Sequence, residues 1–144
     1  MKFNNAQKSH GLKVAILSNE SATLKGLSDC LANADDAIRV QIWPADATHL
    51  GAMVEQEQPD LLMFETSGGS ENELGLLESV MTRHREMSVI VLSAQHHPDF
   101  LLSAMRMGVC EVIKTPFNPA ELQQAVNRVK ERISWNGIQK EPGK

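Results

Sequence analysis

The sequence predicts a single α/β domain, in which helices cover both faces of a doubly wound parallel sheet of five strands. Three observations support this fold class. The length of 144 residues fits one domain with one substantial core. Short apolar runs alternate along the chain with longer segments of helical periodicity. Several runs are apolar on both faces, which is typical of parallel strands buried under helices on two sides.

The first half of the chain contains three predicted strands, at residues 13–18, 38–43 and 59–65. Apolar and polar residues alternate in the second of these, which favours a strand at the edge of the sheet. Cap-type residues at 19–21 begin a first helix, and a weaker helix follows at 46–57. The third strand is apolar until it ends in a single carboxylate, Glu65.

The second half continues the alternation with helices at 72–84 and 99–107, strands at 88–94 and 110–114, and a last helix. Gly108 is a typical residue after a helix end. Asn118, Pro119 and Glu121 have the pattern of a helix start. The domain is predicted to span residues 12–134, between a disordered arm at 1–11 and a loose tail at 135–144.

The predicted sheet has the strand order 2-1-3-4-5, because right-handed crossovers leave few arrangements for five such units. In this order the carboxyl ends of strands one, three, four and five meet at one edge, where ligands and chemistry gather in open α/β sheets. The residues at these ends are Ser18 and Asn19, Glu65, Ser93 and Ala94, and Lys114 and Thr115. They form the candidate functional site.

Composition excludes several classes of function. The net charge of −4 gives no basic footprint for a nucleic acid partner. No stretch approaches the roughly 18 consecutive apolar residues of a membrane span, and the polar first 11 residues do not resemble a secretory signal. Cys30 and Cys110 are far apart and are predicted to be buried free thiols in a reducing compartment. A cytoplasmic protein is therefore expected.

The chain resembles the receiver domain of response regulators, which has a flavodoxin-like (CheY-like) fold, over residues 12–133. Residues 59–65 resemble the strand that ends in the phospho-accepting Asp, and residues 89–94 resemble the strand with the switch hydroxyl, here Ser93. Residues 104–109 resemble the end of the fourth helix, and residues 115–122 resemble the Lys-Pro-Phe segment with the last helix. The resemblance implies a cis peptide bond between Thr115 and Pro116.

The residues that carry receiver chemistry differ in this sequence. The resemblance places Ser18 and Asn19 where two acidic residues hold Mg²⁺, Glu65 at the acceptor, and Thr115 at the required Lys. Lys114 is adjacent but is predicted to point to the other face of the sheet. Phosphoryl transfer depends on positioning and charge neutralisation. We therefore expect an atypical receiver that has no catalysis and no cofactor of its own and is not phosphorylated.

Two interpretations of Glu65 stay open: a built-in imitation of the phosphorylated Asp, or a carboxylate tolerated in a decayed pocket. A rival hypothesis is a working Mg²⁺-dependent receiver that uses Glu20 and Glu65 instead of the usual ligands. A further hypothesis for the function is a flavodoxin-like protein that binds small molecules through an anion-binding loop at 67–70. A metal site at His96 and His97 is a further alternative, although no third ligand lies at suitable spacing.

The fourth helix is the best candidate for a partner surface, because it has more apolar residues than one buried stripe requires. Its Met residues suit an adaptable protein contact. In receivers, the fourth helix, the fifth strand and the last helix form the usual dimer or effector surface. We expect a protein partner, or a second copy of the chain, to contact Phe100, Leu101, Met105 and Val112.

A second resemblance is confined to one segment. Residues 104–111 resemble a segment of the receiver-like N-terminal domains of tight-adherence pilus-assembly proteins, which precede a ParA/MinD-like ATPase domain. The chain has no phosphate-binding GxxxxGK[ST] motif, so it contains no such ATPase. The resemblance implies a pilus-assembly or localisation module as an alternative function.

Overall fold

The computed structural model describes residues 11–34, 38–43, 47–66, 71–94 and 97–140. Strands and helices alternate through this part of the chain. The strands are β1 (Leu12–Leu17), β2 (Ile38–Trp43), β3 (Leu61–Glu65), β4 (Ser88–Ser93) and β5 (Glu111–Lys114). The helices are α1 (Ser21–Ala34), α2 (Leu50–Glu57), α3 (Glu71–Arg83), α4 (Pro98–Arg106) and α5 (Pro119–Lys140). A short 3₁₀ turn at Ala47–His49 leads into α2.

The five strands form one parallel sheet in the order β2-β1-β3-β4-β5. This confirms the predicted fold class, the predicted strand order and the edge position of β2. The register pairs Leu17 with Phe64, Glu65 with Leu92, and Ser93 with Lys114. The carboxyl ends of the four strands that carry candidate site residues therefore meet at one edge of the sheet.

Side-chain alternation divides the core into two layers. On one face of the sheet, Ile16, Met63 and Ile113 pack against α1 and α5. On the other face, Leu17 and Phe64 pack with side chains from α2, α3 and α4. Both faces of β1, β3 and β4 are buried, which accounts for their nearly continuous apolar sequence.

Two charged pairs fix helices to the sheet. Arg128 on α5 donates two hydrogen bonds to Glu111 on β5, at 2.7 and 3.1 Å. Lys13 on β1 contacts the Glu57 carboxylate at the end of α2 at 3.1 Å, and Gln41 donates to the same carboxylate. The hydrogen bonds from Gln41 and Lys13 lower the pKa of the Glu57 carboxyl.

The last helix corrects one predicted boundary. Residues 135–140, which the sequence assigned to a loose tail, belong to α5. The segment has no proline before residue 142, and its single glycine, Gly137, costs a helix only about 1 kcal/mol. The predicted arm lies outside the described residues except for Gly11. None of the described helices combines the length and apolar character needed to cross a membrane.

Two backbone features agree with the sequence. The Thr115–Pro116 peptide bond is cis, as the resemblance implied. Gly108 follows α4 with a φ of 99°, a left-handed conformation that residues with a side chain rarely adopt.

Candidate functional site

Glu65 ends β3 at the carboxyl edge of the sheet, beside the end of β1. Its side chain is half-buried and accepts hydrogen bonds on both carboxylate oxygens. The Ser18 hydroxyl, one residue beyond β1, donates to Oε1. The Thr23 hydroxyl, in the first turn of α1, donates to Oε2 at 3.3 Å. The carboxylate therefore connects β3 with the start of α1.

Ser18 is the centre of this contact. It is only 4% exposed, and its hydroxyl also accepts a hydrogen bond of 3.0 Å from the backbone N–H of Glu20. The same oxygen thus holds the turn between β1 and α1 and contacts the carboxylate. Asn19 is the second residue that the resemblance places where receivers have an acidic pair, and it is exposed.

The hydrogen bonds of the sheet continue for one residue beyond β3 and for one residue beyond β5. The Thr115 N–H donates to the Ser93 carbonyl at 3.0 Å, and the Thr66 N–H donates to the Leu92 carbonyl at 2.9 Å. The side chains of Ser93 and Thr115 are buried. The Thr66 hydroxyl is buried as well, and it has no hydrogen-bond partner within the described part of the chain.

Lys114 does not take the place of the lysine expected at position 115. The side chain of its neighbour Ile113 packs under α1 and α5, so alternation puts Lys114 on the opposite face, where it is exposed. None of the ion pairs among residues that the structure describes joins Lys114 to Glu65. The exposure of Lys114 is consistent with the predicted orientation, which stays a prediction.

The structure brings most of the predicted residues together but adds one that sequence reasoning missed. Ser18 and Glu65 are in direct contact, while Ser93 and Thr115 lie at the same edge of the sheet. Thr23 was missed because one hydroxyl in the first turn of a helix is ordinary in a sequence. The available signal was its place in the helix that follows β1, which begins at the edge where Glu65 lies.

Mg²⁺ is the metal that the resemblance implies, and the groups around Glu65 fit it poorly. Mg²⁺ prefers carboxylates and water in near-octahedral geometry. Here one carboxylate faces two hydroxyls, and both of its oxygens already accept hydrogen bonds from the chain. No cluster of three or more His, Cys, Asp or Glu side chains that could hold a metal occurs in the described segments. The loop at 67–70 and His96 lie outside them, so their proposed anion and metal roles stay predictions.

A groove next to this edge separates α1 from the loop between β5 and α5. It encloses about 440 Å³ and is lined by Thr23, Cys30, Phe117 and neighbouring residues. Gly26 forms part of its floor, and a Cβ atom there would lie 3.0 Å from the Phe117 ring. Burial raises the pKa of the Cys30 thiol.

The second thiol corrects another expectation. Both cysteines are free, but only Cys30 is buried, whereas Cys110 is half-buried. Cys110 directly precedes β5, which is an edge strand, so one side of it has no neighbouring strand to cover it.

The predicted partner surface is only partly exposed. Phe100 is 7% exposed and packs in the core under α4, so the prediction that it contacts a partner needs correction. It lies one turn before the buried Ala104, on the inward stripe of the helix. Leu101 and Val112 are half-buried, and Met105 is 69% exposed. Leu102, which lies outside the predicted contact residues, is 49% exposed.

Comparison with known families gives a match over most of the chain. The family model of the response regulator receiver domain matches residues 14–127. A protein-glutamate methylesterase/protein-glutamine glutaminase from Rhizobium johnstonii is 28% identical over 110 residues, which cover 75% of this chain and 31% of that protein. The chain thus spans less than a third of the length of the curated relatives it matches.

Solved structures share the fold at low sequence identity. A protein described as pilus assembly-related from Burkholderia pseudomallei superposes with a TM-score of 0.76 at 22% identity, over 85% of this chain and 91% of that one. A CheY-like receiver domain protein from Methanospirillum hungatei gives a TM-score of 0.76 at 19% identity, over 88% of this chain and 98% of that one. At these identities the likeness shows the fold.

Proposed function

Because this chain belongs to the response regulator receiver domain family, we propose that it acts in signalling by binding a partner protein and without phosphorylation of its acceptor position. The proposal rests mainly on one observation. The carboxylate at that position, Glu65, accepts hydrogen bonds from Ser18 and Thr23, and Ser18 stands where the resemblance expects a carboxylate ligand of Mg²⁺.

The energetic reason is the loss of charge around the acceptor. Phosphoryl transfer needs groups that position the donor and neutralise the developing negative charge. At this edge of the sheet a hydroxyl, an amide and a buried threonine occupy the places of two carboxylates and a lysine. Each lost contact raises the barrier by about 2–4 kcal/mol, so together they slow the reaction by several orders of magnitude.

The hydrogen bonds of Glu65 give its side chain a structural role in this proposal. Its two oxygens accept hydrogen bonds from one hydroxyl in the β1–α1 turn and from one hydroxyl in α1. The carboxylate thereby holds these segments to β3. Two interpretations of Glu65 were open: an imitation of the phosphorylated Asp, and a carboxylate tolerated in a decayed pocket. These contacts favour the second.

Treatment with a small phosphodonor tests the proposal directly. We expect no phosphoprotein when the chain is incubated with acetyl phosphate and Mg²⁺, because the donor set around Glu65 does not assemble the metal beside an acceptor. Intact-mass spectrometry would measure the modification, and amide NMR spectra with and without Mg²⁺ would measure metal binding. A receiver with the usual acidic residues serves as the positive control.

A phosphorylated Glu65, or Mg²⁺-dependent shifts confined to residues 18–23 and 65, would contradict the proposal. Either result would favour the rival hypothesis of a working receiver that uses Glu20 and Glu65. Glu20 is exposed at the start of α1, and its backbone N–H is hydrogen-bonded to Ser18.

We place the partner surface on α4, β5 and α5. Leu102 and Met105 are three residues apart on α4, so they form an adjacent exposed apolar pair. The ion pair of Glu111 and Arg128 connects β5 with α5. An apolar centre beside a paired polar rim is the usual composition of a protein–protein contact.

Replacing Met105 by Glu is expected to weaken self-association or partner binding at least about tenfold, because it puts a charge in the apolar centre of this surface. Sedimentation velocity across the micromolar range would measure self-association. Leu76→Glu on α3 is the matched control, since Leu76 is an exposed leucine outside the proposed surface. A mass that stays monomeric at every concentration would count against a homodimer and leave a different protein as the partner.

A pilus-assembly or localisation module is the second candidate function. Two observations favour it: the segment from Ala104 to Glu111 noted above, and the fold shared with a protein described as pilus assembly-related. Under either function we infer a cytoplasmic location. Pilus-assembly genes beside the coding region would favour this second candidate, whereas a histidine kinase gene would favour the first.

A further inference from the structure

A second cavity lies at the end of the sheet opposite Glu65. It encloses about 410 Å³ beside the starts of β4 and β5, and Ser88 and Cys110 are among its lining residues. The length of β4, at about 3.3 Å per residue, puts it roughly 17 Å from the end of β4 near Glu65. It is therefore separate from the candidate site described above.

Three arginines line this cavity, and each comes from a different part of the fold. Arg85 lies in the turn between α3 and β4, Arg106 ends α4, and Arg132 lies on α5. Among the residues that the structure describes, no ion pair involves any of the three. We call this cavity, with Arg85, Arg106 and Arg132 in its lining, the arginine pocket.

The chemistry of the arginine pocket favours an oxyanion. Guanidinium groups donate paired hydrogen bonds that match phosphate oxygens, and several of them in one concave site concentrate positive potential. Two carboxylates, Glu78 and Glu86, also line the pocket, so the three guanidinium groups exceed the acidic groups by one. The volume falls in the range of small-molecule sites, about 300–1,000 Å³.

The geometry points to the arginine pocket as a binding site for a small phosphate-bearing anion, held by the guanidinium groups of Arg85, Arg106 and Arg132. Arg132 already directs one N–H into the pocket, where it donates to the Cys110 sulfur at 2.9 Å. A phosphate oxygen is a stronger acceptor than a cysteine sulfur, so arrival of the anion would draw this N–H away from the sulfur.

Titration with inorganic pyrophosphate tests the site in the intact chain. Isothermal calorimetry at low ionic strength is expected to give a dissociation constant below about 1 mM. Arg106→Gln removes an exposed guanidinium without disturbing the core and is expected to weaken binding about tenfold. Glu78→Gln is expected to tighten binding, because it removes a negative charge from the wall.

Cys110 gives a second measurement that does not depend on heat. A thiol reagent should label the half-buried Cys110 more slowly in the presence of pyrophosphate, while the buried Cys30 stays unreactive in either condition. Adenosine diphosphate in parallel would separate two sources of the anion. Tighter binding than pyrophosphate indicates a nucleotide, and equal binding indicates that phosphate alone is recognised.

The matched control is Arg39→Gln, which removes an exposed arginine from β2, the strand farthest across the sheet from β5. Binding should be unchanged in this variant. Absence of binding at a pyrophosphate concentration of about 10 mM, tenfold above the expected limit of the dissociation constant, would overturn the proposal. Equal affinity in the wild type, Arg85→Gln and Arg106→Gln would also overturn it, because it would show that the arginine pocket is not where pyrophosphate binds.

Discussion

A chain that carries Ser18→Asp, Asn19→Asp, Glu65→Asp and Thr115→Lys together is expected to accept a phosphoryl group from acetyl phosphate in the presence of Mg²⁺. The first two changes supply acidic ligands after β1, the third shortens the acceptor, and the fourth supplies the missing positive charge. If these positions account for the inactivity that we propose, the rate should rise by several orders of magnitude. The increase should disappear when Mg²⁺ is removed.

Intact-mass spectrometry of the fourfold variant would measure this gain. The matched control keeps Glu65→Asp and Thr115→Lys but retains Ser18 and Asn19, so it has an acceptor and a lysine without the acidic pair. Thermal unfolding would establish that both variants are folded, since Ser18 and Thr115 are buried. A folded fourfold variant that stays unmodified would show that the inactivity has another cause.

Replacing Phe64 by Ala is expected to lower the free energy of unfolding by about 3–5 kcal/mol. Phe64 is fully buried on β3, at the centre of the sheet, and packs in the layer beneath α2, α3 and α4. Its removal leaves a cavity between the sheet and these helices, which the surrounding side chains can fill only in part. A loss of this size is a large part of the roughly 5–15 kcal/mol that stabilises a typical domain.

Urea unfolding followed by circular dichroism would measure this loss. Leu76→Ala on α3 is the control because Leu76 is 43% exposed, and it is expected to change the free energy by no more than about 0.5 kcal/mol. Equal losses in the two variants would contradict the assignment of Phe64 to the core.

The fold was predictable because several independent patterns agree. The run at 61–64 is apolar on both faces, which indicates a central strand, and β3 lies between β1 and β4. The alternation at 38–43 indicated an edge, and β2 is at the edge. The end of α5 was less predictable, because helix propensity after residue 134 is weak and the sequence contains no clear stop signal before Pro142.

Only the site residues that lie at the ends of strands were predictable from the sequence. Ser18 and Glu65 follow paired parallel strands, so their proximity follows from the topology. The contact with Thr23 depends on the angle at which α1 leaves the sheet, which no local pattern reports. Phe100 was misplaced for a related reason: the composition of α4 shows that some apolar residues must be exposed, but the rotation of the helix decides which ones.

The close approach of Gly26 to Phe117 has a consequence for protein engineering. The ring forms one wall of the groove between α1 and the loop after β5, and the absence of a side chain at position 26 leaves room for it. An alanine at this position would push the ring outward by a few tenths of an ångström and change the width of the groove. The volume of the side chain at position 26 therefore controls the shape of this groove. The exposed outer face of α1 offers a convenient place to attach a reporter of that change.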